Sequence, residues 1–123
     1  LKRLMLSRPF LTRIPDQNVV ISESRQDIDR IQVTRDGRPG QDDATYIMAY
    51  FPRHQQATLK TDLISATTLR AWWYDPRTGE ATLIGEMPRE NTKQFAPPIQ
   101  GEDQDWVLVL DDAAKHYSTP GHV

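Results

Sequence analysis

The stretch "LRAWWYDPRTGEATLIGE", residues 69–86, decides the fold. Two runs rich in aromatic and β-branched residues flank a turn, which is the pattern of a β-hairpin. In "DPRTG", Pro76 fixes φ and Gly79 is free to take φ > 0, so the chain can reverse there. Gly79 is predicted at positive φ, closing the turn with a bulge. Neighbouring side chains of a strand point to opposite faces. Trp72 and Trp73 are adjacent, so this strand carries a large aromatic on each face. Leu69, Ala71 and Trp73 form one set and read as core. Arg70, Trp72 and Tyr74 form the other set, which is amphipathic. Arginine lies well over aromatic rings, and Trp and Tyr carry polar edges suited to a half-wet surface. Trp72 therefore packs against something other than the main core. A neighbouring domain, an overlying loop and a ligand are all open at this point, and Arg70, Trp72 and Tyr74 are the candidate ligand-binding residues.

The same alternation extends outward from the hairpin. In "ATYIMAYFP", residues 44–52, Tyr46, Met48 and Tyr50 share one face and Ile47, Ala49 and Phe51 the other. "WVLVLDD", residues 106–112, is also apolar on both faces. Strands of this kind are central, with something packed on each side. "ATLKTDL", residues 57–63, alternates cleanly, placing Ala57, Leu59, Thr61 and Leu63 inward. Short strands are also expected around Ile31–Arg35 and Thr92–Phe95, whereas 19–28 is ambiguous. Six to eight short strands with turn signals every ~8–12 residues indicate an all-β fold, an antiparallel β-sandwich. Ile47, Ala49, Phe51, Trp73, Trp106 and Leu108 are expected in its core.

At the start, Leu1, Leu4 and Met5 have helical spacing, and Pro9 ends that helix. "PFLTRI" adds one further short turn. The opening reads as the tail of something longer. Residues 1–18 are thus a short N-terminal helical segment, a junction to a preceding domain. Residues 19–113 are the β-sandwich, and 114–123 read as a mobile tail. An amphipathic stub must bury its stripe elsewhere, which makes Leu4, Met5, Phe10 and Leu11 the candidate domain-interface residues.

Charge and composition exclude several functions. With 15 basic and 17 acidic residues in 123, the net charge is −2, no footprint for nucleic acid or an anionic membrane. No apolar run approaches the ~20 residues of a membrane span. There is no cysteine, so no disulfide supports the core. Gly-x-Ser-x-Gly, Walker and dinucleotide motifs are missing. His54, His116 and His122 lie in a turn and the tail, without metal-ligand spacing. Carboxylates occur as Asp42–Asp43, Glu102/Asp103/Asp105 and Asp111–Asp112. "GEDQD" offers oxygens to a hard cation such as calcium, but none of these segments has the spacing of an EF-hand loop. A glycosidase pair would have to face each other across about 5–9 Å, and these residues lie in turns of a sandwich with no cleft. No catalytic residue, metal ligand or cofactor is expected.

Taken together, "SRPFLTRIPDQ", "AWWYDPRTGEATLIGE" and "DWVLVLDD" closely resemble the C-terminal β-sandwich of apiosidase-like glycoside hydrolases. Domains of this type carry the label of a collagen-binding domain of a collagenase. The resemblance covers residues 1 to about 113. It implies a preceding catalytic (α/β) barrel that holds the catalytic acids, and a secreted or periplasmic setting. No catalytic carboxylate carries over to this chain. Two functions compete: an ancillary module packed on the barrel, and a binding module for polysaccharide or collagen. Trp72 and Tyr74 beneath the "SRPF" segment would favour the first, and an open, coplanar aromatic strip the second.

Overall fold

The two strands that are apolar on both faces lie at the centre of the molecule. In the computed structural model, which describes residues 2–23, 30–53, 55–98 and 104–122, β4 (Tyr46–Phe51) pairs along its whole length with β9 (Trp106–Asp112). Around them a six-stranded antiparallel sheet forms in the order β1–β3–β4–β9–β6–β7, with β1 at Ile14–Pro15, β3 at Gln32–Arg35, β6 at Thr68–Asp75 and β7 at Glu80–Pro88. A second sheet, β2–β5–β8, packs on one face, with β2 at Val20–Glu23, β5 at Ala57–Lys60 and β8 at Thr92–Phe95. The chain is an all-β sandwich. It has nine strands among the described residues, more than the six to eight expected. β1 is too short to give a periodic signal, and β2 falls in the stretch that was ambiguous.

Between the sheets lies an apolar core that contains Ile47, Ala49, Phe51, Trp73, Trp106 and Leu108, as expected. Trp73 makes edge-to-face contacts with Phe51 (5.2 Å between ring centroids) and Trp106 (6.4 Å), a favoured geometry for aromatic quadrupoles. Ala57, Leu59, Thr61 and Leu63 are all buried. At one end of the core the buried Arg35 gathers the loop 36–43. Its guanidinium donates to the carbonyls of Arg38 and Gln41 and to Asp16 and Asp43.

Both edges of the large sheet are blunted against further pairing. β1 has only two residues and includes Pro15, which lacks an N–H. β7 is interrupted by a bulge, because Leu83 pairs with Trp72 and Gly85 with Ala71, leaving Ile84 unpaired. Gly79 has φ +77°, and its N–H donates to the Asp75 carbonyl at 2.8 Å. The bulge itself is in the arm and not at the turn. Asp75 stands directly opposite Glu80, so the turn closes without one, and Gly85 at φ +143° absorbs the irregularity instead.

Candidate functional site

Among the described residues, no second sheet covers the other face of the six-stranded sheet. Tyr46 and Met48 of β4, Tyr74 of β6, and Val107 and Val109 of β9 are buried there, with Tyr50, Trp72 and Ala81 half-buried beside them. Its cover comes from the two ends of the chain. Helix α1 (Lys2–Leu6) inserts Leu4, a strap over residues 7–13 follows, and Tyr117 closes from the tail.

Polar contacts hold this cover in place. Arg8 is buried, and its Nε and Nη2 donate to the two carboxylate oxygens of Asp111, both at 2.8 Å. This is the bidentate fork that suits arginine to buried pairs. The guanidinium also donates to the Ser7 carbonyl and stands 5.1 Å from the Tyr117 ring centroid. Burial pushes the Asp111 carboxyl above its ordinary range, against the opposing pull of Arg8, Trp72 and Arg70. The Trp72 indole N–H is buried and makes no hydrogen bond of ordinary geometry. Tyr46 donates from its hydroxyl to the Pro9 carbonyl at 2.5 Å and accepts from Arg13 Nε at 2.7 Å. Burial raises its pKa above the usual phenol value. Arg13 also donates to the Met5 carbonyl at 2.7 Å, tying strap to helix. Thr45 links the Tyr117 hydroxyl (2.6 Å) to the Asp36 carboxylate.

The three candidate ligand-binding residues do share this face, but they form no open strip. Tyr74 is only 3% exposed and lies under Gly121, where a Cβ would approach its ring carbon Cε1 to 2.9 Å. Trp72 is half-covered, and Arg70 is paired with Glu86 across the hairpin (Nε to Oε2, 2.9 Å). The sequence leads one to expect a mobile tail over 114–123, of which 114–122 are described. Within them, Tyr117 joins the second apolar cluster, and the Gly121 N–H donates to Ser7 Oγ at 3.3 Å.

The four candidate interface residues divide. Leu4 is 1% exposed and belongs to the domain's own packing, because α1 lies with this residue against the sheet. It offers nothing to a partner. Met5 (38%), Phe10 (52%) and Leu11 (90%) are exposed. Leu6, Leu83 and Ile84 are exposed too, outside that candidate set, as is Ile21 on β2. Leu6 falls outside the i, i+3, i+4 set. The consecutive Leu83–Ile84 pair, which breaks strand alternation, was the available signal for those two.

The remaining candidates are spent on structure. Asp42 pairs with Lys60, and Asp43 with Arg38 and Arg35. Hydrogen bonds from Arg38 hold the Asp43 carboxyl below its usual range. Asp105 receives Arg77 and Tyr50. His116 caps a short 3-10 turn at positive φ, and His122 is exposed. Leu1, His54, Glu102 and Asp103 lie outside the described residues. Among the described residues no three His, Cys, Asp or Glu side chains form a metal-holding group, and no helix is long and apolar enough to cross a membrane.

No curated protein matches the chain. Eight chains of solved structures do, and two of them serve as examples. One is a glycoside hydrolase, with 30% identity and a TM-score of 0.82 over 95% of this chain. The other is a glycoside hydrolase family 5 protein from Bacteroides vulgatus, with 30% identity and a TM-score of 0.83 over 97% of this chain. The match takes in 25% and 24% of those chains, so this chain spans about a quarter of their length. The family model described as "Putative collagen-binding domain of a collagenase" matches residues 14–111, and the chain belongs to that family.

Proposed function

We propose that the chain is a non-catalytic ancillary module of a glycoside hydrolase, packing on and stabilising its catalytic barrel. The observation that carries this reading is the second face of the large sheet. Its aromatics are covered by the chain's own ends, Tyr46 by the N-terminal strap and Tyr74 by Gly121 of the tail, and apolar side chains are left on the outer side of the strap. The solved relatives support the same reading, because the matched domain is one quarter of a longer glycoside hydrolase. The test is to produce the hydrolase with and without this domain. Removal should lower the thermal midpoint of the catalytic domain by several degrees. An unchanged midpoint and unchanged activity would contradict the reading. The purified chain alone should leave aryl glycosides, polysaccharides and gelatin untouched, and turnover abolished by one substitution would overturn that expectation.

Binding of a polymer is the second reading, and the family's description favours collagen as its ligand. It predicts that Trp fluorescence responds to a triple-helical peptide or a polysaccharide, and that Trp72→Ala removes the response with the fold intact.

A further inference from the structure

We infer that the docking surface of this module is the ridge formed by α1 and the strap, and that it fits an apolar surface rimmed by carboxylates on the catalytic domain. The inference rests on the ancillary reading and adds to it the surface and the partner's chemistry.

Exposed apolar side chains concentrate here. Of the seven large hydrophobic residues that are exposed among the described residues, Met5, Leu6, Phe10 and Leu11 lie within one stretch of seven residues. Small soluble domains scatter such residues singly, and a cluster marks an interaction site. The cluster also has relief. A groove of about 180 Å³ lies on the Met5 side of α1, floored by Met48, Tyr50 and Val107. A second, of about 440 Å³, is bounded by Leu6, Phe10, Leu11 and Tyr117. Helix α1 and the strap thus border two apolar troughs, a relief that accepts side chains from an opposing surface.

Charge identifies the partner's rim. Residues 2–13 contain Lys2, Arg3, Arg8 and Arg13 and no carboxylate, in a chain whose net charge is −2. Arg8 is spent on Asp111 and Arg13 on Tyr46 and the Met5 carbonyl. Lys2 and Arg3 are exposed beside the apolar ridge. A surface that is apolar at its centre and cationic at its rim is complementary to an apolar patch edged with Asp and Glu. A second copy of this chain presents the same cations and would be repelled. The occupant of suitable size is the other three quarters of the hydrolase, which in the solved relatives belongs to the same polypeptide as this domain.

The clamp explains why this ridge can serve as an interface. An isolated helix of five residues has no stability of its own. The Arg8–Asp111 fork, the Tyr46–Pro9 bond and buried Leu4 fix it before any partner arrives. Docking then costs little ordering entropy.

The test is titration of this chain against the separately produced glycoside hydrolase domain encoded beside it, with sedimentation of each alone. Wild type should bind, more weakly as salt rises. Leu11→Asp and Arg3→Glu should each weaken binding at least tenfold, and Leu11→Lys less than Leu11→Asp. Ile21→Ser, an exposed apolar residue on the opposite sheet, should leave affinity unchanged. Leu11 is 90% exposed, so its variants keep the fold. Binding that survives Leu11→Asp and Arg3→Glu but is lost in Ile21→Ser would overturn the surface and leave the ancillary reading standing. No binding by wild type, or no hydrolase domain beside the chain, would overturn that reading and the surface with it. Self-association stronger than hydrolase binding would overturn the chosen occupant.

Discussion

The two faces of the six-stranded sheet are both covered, but by different means. One meets another sheet across a continuous apolar layer, with Trp73 wedged between Phe51 and Trp106. The other meets single residues from the chain ends, held by a buried ion pair and tyrosine hydroxyls. Apolar packing between sheets is non-directional and gives stability. A bidentate ion pair at low dielectric contributes little net stability but fixes one geometry for the strap. The first face makes the domain fold, and the second positions a segment on its surface. That division is what an ancillary module requires.

Breaking the first face should have the largest effect. Trp73→Ala should destabilise by roughly 4–5 kcal/mol in urea unfolding, since it removes the aromatic at the centre of the layer. A loss below about 1 kcal/mol would mean that the two sheets do not depend on it.

The second face should respond through its charges. Arg8→Met should cost about 3 kcal/mol, because Asp111 is left buried and unpaired. Arg8→Met with Asp111→Leu should recover most of that loss, and a double variant no better than the single one would deny the pair its role. The pH dependence has a definite sign. Burial already raises the Asp111 carboxyl above its ordinary range, so its contribution to the fold is present below that range and lost as pH rises through the folded value. Removing Arg8 raises it further. The gap in stability between Arg8→Met and wild type should therefore narrow as the pH falls.

Backbone changes should be smaller. Gly79→Ala should cost about 1 kcal/mol, because φ +77° strains any residue with a Cβ. On the outer side of the strap, Leu11→Ser should change the stability of the chain by less than about 0.5 kcal/mol. A larger loss there would mean that Leu11 packs on this domain and is not held ready for another.

How much of this was legible in the sequence follows the same division. Strands β4, β6 and β9 could be read because apolar residues stand on both sides of a period-2 pattern, and "DPRTG" marks its own turn. The first core was therefore visible residue by residue. The cover of the second face was not. Arg8 and Asp111 are 103 residues apart, and nothing periodic links them. Leu4 and Tyr117 are single contacts from opposite ends of the chain. The burial of Tyr74 depends on Gly121, a residue whose contribution is the absence of a side chain. The adjacent tryptophans could be assigned to opposite faces, but the identity of what lies over Trp72 is set by long-range pairing alone. The bulge at Ile84 was hidden for a related reason: it depends on register against β6, and the broken alternation at Leu83–Ile84 and the neighbouring Gly85 only hint at it.

The central claim is that the strap side of the second face is built to be covered by a catalytic domain. Amide hydrogen exchange tests it most directly, comparing the chain alone with the chain joined to its hydrolase domain. The account predicts added protection over residues 2–13, with β2, β5 and β8 unchanged. Protection gained over β2, β5 and β8, or none over residues 2–13, would contradict it.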